Sequence, residues 1–160
     1  MDPNWLNEAE DRAWRAFMHA HHQLVLHLNR GLQESGLTGA DYEILAVLSG
    51  HDRDRMPAHE LCKTLGWEKS RVSHQVRRMQ KDGLVSREPN PDDARSTVVR
   101  LLPAGRAAIE MAAPKHVADV RRNFIDLLSP AELDMLAALN ERILQHLTKA
   151  DDSLTDGDLP

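Results

Sequence analysis

The sequence predicts a mainly α-helical fold with a small β wing, a winged helix-turn-helix flanked by long terminal helices. Three features point to it. Between Glu60 and Gly105, two short helical patterns separated by Gly66 are followed by two apolar β segments on either side of a loop rich in Pro, Asn and Asp, PNPDDARST. Towards both ends of the chain, apolar residues return at three- and four-residue steps over long stretches, the mark of amphipathic helices. Two Phe, one Tyr and three Trp in 160 residues leave the core to Leu, Val, Ala, Met and Ile, which suits helices.

The first helix is expected over about 4–34, with Trp5, Leu6, Ala9, Ala13, Trp14, Phe17, Leu24, Leu28 and Leu32 forming its apolar stripe. Thirty helical residues span roughly 45 Å, more than the width of a small domain, so part of the stripe is expected to meet a second subunit. Thr38 then caps a buried helix reaching about Ser49, with Asp41 three residues on as its capping-box partner. GHDRDR, residues 50–55, reads as a solvated loop. A short helix follows from about Pro57 to Leu65, closed by Gly66. The next runs from Glu68 to about Lys81 and ends at Gly83. Its apolar Val72, Val76 and Met79 fall on one side, and Lys69, Ser70, Arg71, Ser73, His74, Arg77 and Arg78 on the other. Leu84-Val85 and Val98–Leu101 are the expected wing strands. Pro103 starts a long helix to about Leu128, in which Pro114 removes one N–H and predicts a kink against the carbonyl of Glu110. Ser129 and Glu132 open a final helix to about Lys149, and 151–160 read as a disordered acidic tail.

Charge is distributed unevenly. Residues 60–106 carry ten Lys or Arg against six Asp or Glu, a net of +4, which leaves −9 on the rest of a chain whose total is −5. A basic module on an acidic scaffold turns that module toward a polyanion. Ser70, Arg71, Ser73, His74 and Arg77 of the second short helix are the expected major-groove contacts, with Arg71 or Arg77 placed to give two hydrogen bonds to a guanine. Lys69 and Arg78 suit phosphates. Arg95 is expected to enter a minor groove, held by an ion pair with Asp93.

The order Glu60-Leu61, Ser70-Arg71-Val72-Ser73-His74, Arg78-Met79, Gly83-Leu84-Val85, Asp93-x-Arg95, Val99-Arg100-Leu101 and Gly105 resembles the MarR (multiple-antibiotic-resistance regulator) family of winged-helix repressors. Leu37-Thr38, Tyr42, Ile44-Leu45 and Leu48 resemble that family's upstream helix. The motif match covers roughly 37–106; the terminal helices match in length and placement only. Leu102-Pro103 departs from the family's more usual Thr cap, although Pro103 still suits the start of a helix. The resemblance implies a DNA-binding repressor released by a small molecule, often a phenolic or other amphipathic acid, held between the dimer helices and the reading module. Trp14, Met18, His21, Tyr42 and Met111 are the candidate lining residues.

The domain reading is one unit over 1–150, with a winged helix-turn-helix at about 37–106 and dimerisation helices at about 4–34 and 103–149. A two-fold homodimer on double-stranded DNA calls for a pseudo-palindromic operator. The alternatives are a winged-helix protein-interaction module, or a regulator responsive to metal through His19 and His22 or to redox state through Cys62. His19 and His22 share a helical face but find no local acid or Cys to complete a zinc set. Cys62, the single cysteine, excludes an intramolecular disulfide and reads as a small core residue. No nucleophile–base pair, phosphate loop or complete metal set points to an enzyme. With no signal peptide pattern and no run of eighteen apolar residues, the expected location is the cytoplasm, with no membrane partner.

Overall fold

A computed structural model describes residues 5–155. The chain divides between Asp119 and Val120 into two compact units.

In the first unit, helix α1 (Glu8–Gln33) starts at Asn7, whose side chain accepts from the Ala9 and Glu10 amides while Glu10 reaches back to the Asn7 N–H. This reciprocal cap satisfies the orphan amides of the first turn, so the helix starts here and leaves Trp5 and Leu6 ahead of it. Asn4, the expected start, lies outside the described residues. Helix α2 (Gly39–Ser49) has the expected box: the Asp41 amide donates to Thr38 Oγ1, and the Thr38 amide donates to Asp41 Oδ2 at 2.9 Å. The Asp41 carboxylate also accepts from Gln75, a buried polar side chain of α4 (Lys69–Lys81), tying the start of α2 to α4. Thr38→Ala is expected to lower stability by about 1 kcal/mol through loss of the cap. Urea denaturation measures this, and an unchanged midpoint contradicts it.

The short helix α3 (Ala58–Leu65) ends at Gly66, whose φ of 65° is left-handed backbone that a side chain resists. Its Leu61 is fully buried with Ile44, Leu45 and Leu48 of α2 and with Val72, Val76 and Met79 of α4, and these residues form the centre of the core.

Three antiparallel strands complete this core in the order β1-β3-β2: β1 (Arg55–Pro57), β2 (Val85–Asn90) and β3 (Asp93–Leu101). The wing strands are longer than expected, because β2 and β3 pair from Val85↔Leu101 to Asn90↔Asp93, with the register shifting after Pro89. Most of PNPDDARST is therefore strand, and only Pro91-Asp92 turns. Arg55, expected in the solvated loop, and Met56 and Pro57 instead pair with Arg100, Val99 and Val98 of β3.

Helix α5 (Pro103–Asn123) remains helical on both sides of Pro114, whose ring lies on the exposed face. It ends before the expected Leu128: Phe124 leaves helical geometry at φ −144°, and Ile125–Leu127 form a 3-10 turn. The second unit continues with helix α6 (Pro130–Thr155), capped by the expected Ser129 and Glu132 pair. No Gly or Pro interrupts the chain before Gly157, and α6 runs beyond Lys149 into the segment expected to be a disordered tail. Residues 156–160, the rest of that tail, lie outside the described residues. Among the described residues no helix is long and apolar enough to cross a membrane.

Candidate nucleic-acid interface

On α4 the burial pattern fixes which side looks out. Val72, Gln75, Val76 and Met79 are buried, so the opposite face at 100° per residue carries Ser70, His74, Arg77 and Lys81, all exposed, with half-buried Ser73 beside them. Lys69 flanks this face on one side. Arg71 and Arg78 flank it on the other, also exposed.

Arg71 differs from the other cations. Its guanidinium carbon sits 3.8 Å from the ring centroid of Trp67, in the turn between α3 and α4. A cation stacked on indole is held by the ring quadrupole and loses freedom to swing into a groove. Arg71 also acts on Glu43 of α2: burial pushes the Glu43 carboxyl above its ordinary pKa, and the guanidinium draws it partly back. In the sequence Trp67 is a lone aromatic in a turn, which gives no signal of its partner.

The wing is braced near its tip. Buried Asn90 donates to Ser96 Oγ at 2.8 Å and accepts from the Asp92 amide at 3.0 Å. Asp93 does not pair with the Arg95 guanidinium as expected. Its Oδ1 instead accepts from the Arg95 backbone N–H at 3.0 Å, a local turn contact that the two-residue separation favours. Arg95 is exposed, and no ion pair engages it among the described residues. Arg100, by contrast, reaches Glu88 on the neighbouring strand at 3.4 Å.

Between α3, α4 and the hairpin lies a groove of about 370 Å³ whose walls include His59, Lys69, Ser73, Arg87 and Arg95. In the sequence Arg87 adds only to the positive balance of residues 60–106. The β2–β3 pairing together with the packing of the hairpin against α4 places it in the same groove wall as Arg95 and Lys69.

Residues 35–96 match the family model described as MarR family. Across 91% of this chain and 99% of the other, the structure matches AbsC, a MarR family transcriptional regulator from Streptomyces coelicolor, with 40% identity and a TM-score of 0.88. The chain belongs to the MarR family of transcriptional regulators. A second MarR family regulator from Streptomyces coelicolor, Sco3205, solved in complex with DNA, matches with 34% identity and a TM-score of 0.88 over 91% of this chain and 92% of its own. YetL, an HTH-type transcriptional repressor of Bacillus subtilis, is 28% identical over 111 residues, 68% of this chain and 66% of YetL.

In this MarR-family chain the five expected ligand residues do not converge. Trp14 and Met111 are 55% and 74% exposed. Trp14, Phe17 and His21 form a row of rings along the open side of α1, with successive centroids 6.4 Å apart. Met18 is half-buried on the same helix. Of the five, only Tyr42 enters the cavity formed by α1, α2, α3 and α5, where its ring lies 4.1 Å from that of His116. The sequence places apolar residues on helices but cannot say which faces of α1 and α5 meet. Among the described residues no three His, Cys, Asp or Glu side chains gather as a metal site, and His19 and His22 are exposed on α1. Cys62 is half-buried in the wall of the α3–α4 groove.

Proposed function

We propose that this MarR-family regulator is a homodimeric repressor that binds a pseudo-palindromic operator and is released by a small molecule. The observation that carries the reading is the exposed polar face of α4, backed by a buried apolar face and followed by a hairpin bearing an exposed Arg95. Sco3205, 34% identical, was crystallised with DNA, and YetL is named a repressor.

In this reading Ser70, Ser73, His74 and Arg77 meet base edges in the major groove, and Arg77 is the guanine reader. The stack on Trp67 gives Arg71 a different task. Together with Lys69 and Arg78 it holds phosphates, which set register without reading sequence. Arg95 enters the minor groove, and Asp93 shapes the turn that presents it.

Dimerisation is supported by apolar side chains left exposed on each unit taken alone: Trp14, Phe17, Val25 and Leu26 of α1, and Met135, Leu139, Ile143, Leu144 and Leu147 of α6. The terminal helices at about 4–34 and 103–149 then act as dimerisation elements around one MarR-like domain. Release of DNA by 10- to 100-fold needs a coupling of about 1.4–2.8 kcal/mol between ligand and DNA.

Footprinting on the DNA flanking the protein's own gene tests the reading: protection of a two-fold site supports it, and equal, weak binding of that DNA and random duplex removes it. The salt dependence carries a further expectation. Arg95→Ala removes one counterion-displacing cation per subunit from the minor groove and lowers the magnitude of the slope of log K against log salt by about two for the dimer. An unchanged slope in a salt titration contradicts the wing's role.

A further inference from the structure

A cavity of about 410 Å³ opens among α1, α2, α3 and α5 of the first unit, with Val25, Leu28, Tyr42, Glu43, Leu65 and His116 in its wall. The lining is mainly apolar, and the volume falls in the range of sites for small organic molecules. Its polar groups have one chemical bias. Glu43 contributes a carboxylate, and no Lys or Arg lines the cavity. Lys115, next to His116 on α5, pairs with Glu34, and Arg71 of α4, which acts on Glu43 from outside the lining, is stacked on Trp67. His116 stacks on Tyr42, and its Nδ1 is buried without a hydrogen-bond partner among the described residues. Burial lowers that imidazole's pKa from its ordinary value against the opposing pull of Asp119, which favours the uncharged ring, and with the proton on Nε2 the unpartnered Nδ1 accepts a hydrogen bond.

We propose that this cavity takes an amphipathic aromatic amine, its ring against Tyr42, Leu28 and Leu65, and its ammonium between the Glu43 carboxylate and His116 Nδ1. An aromatic acid, the ligand class that the family resemblance implies, would put its carboxylate beside Glu43, whose charge is offset only in part by Arg71, a cation outside the lining and stacked on Trp67. Because Arg71 also acts on Glu43, an ammonium seated there competes for the charge that faces the reading helix. The assignment rests on the ligand-responsive reading of this regulator; the titration that tests it contains no DNA, so its failure is distinct from a failure of operator binding.

The test is calorimetric titration of the full-length protein with 2-phenylethylamine and with phenylacetate, which share a ring and differ in charge. The amine is expected to bind at least about tenfold tighter, a difference of about 1.4 kcal/mol. Glu43→Gln, a near-isosteric change at an exposed residue, is expected to remove most of that preference. Phenylacetate binding as tightly as the amine, no amine binding at millimolar concentration, or a preference untouched by Glu43→Gln would each overturn the proposal.

Discussion

Arg77→Ala is expected to flatten the protein's preference for its operator over random duplex. Arg77 lies on the exposed face of α4 opposite buried Val72, Val76 and Met79, one turn after His74 and one turn before Lys81. No ring or carboxylate holds its guanidinium among the described residues, whereas Arg71 is stacked on Trp67. A bidentate contact to guanine O6 and N7 discriminates by about 1–3 kcal/mol, and a two-fold complex makes it twice, so the expected loss is roughly 2–6 kcal/mol. That corresponds to a drop of roughly 30-fold to more than 10⁴-fold in operator affinity. Affinity for a scrambled duplex at the same salt should change much less, because phosphate contacts carry non-specific binding. Fluorescence anisotropy on the two duplexes separates the cases. Equal losses on both would make Arg77 a phosphate contact and move base reading elsewhere on α4.

Gly105→Ala is expected to cost on the order of 3 kcal/mol of stability and to weaken operator binding with it. A Cβ at Gly105 would stand 2.2 Å from the Leu84 carbonyl oxygen and 2.7 Å from Leu101 Cδ1. The leucine contact is with the tip of a flexible side chain, but the carbonyl is fixed, because it accepts the Leu102 N–H at 3.0 Å while the Leu84 N–H donates to Met79 at 2.9 Å. The end of α4, the start of β2, the end of β3 and the first turn of α5 therefore meet at one backbone joint. Moving the carbonyl to admit a methyl group strains the link that sets the wing against α4. Urea denaturation and operator titration of the same variant measure both effects. A variant within about 0.5 kcal/mol of the parent would show that the joint yields cheaply.

Much of this was legible in the chain because the signals are local. The four- and three-residue spacing of Val72, Val76 and Met79 marks the inner face of α4, and Thr38 with Asp41 and Ser129 with Glu132 place the starts of α2 and α6, since a cap acts within one turn. Gly66 and Gly83 lie where the backbone takes positive φ. The three-residue strand β1 left no signal: a run that short has no period, and its pairing with β3 is decided by residues more than forty positions away. The wing strands were legible in place but not in length, because PNPDDARST has the composition of a loop and becomes strand only when each half supplies the other's hydrogen bonds.

The amino-acid sequence alone determined the helix-turn-helix, its cationic outer side and the wing behind it, because helical period and caps depend on neighbours within a turn. Tertiary packing alone decided that Arg71 rests on Trp67, that Arg87 joins Arg95 and Lys69 along one groove, and that Glu43, Tyr42 and His116 share a cavity. Those contacts join residues whose proximity depends on how whole elements cross, and a crossing is set by the fit of two surfaces, which no short stretch of chain encodes.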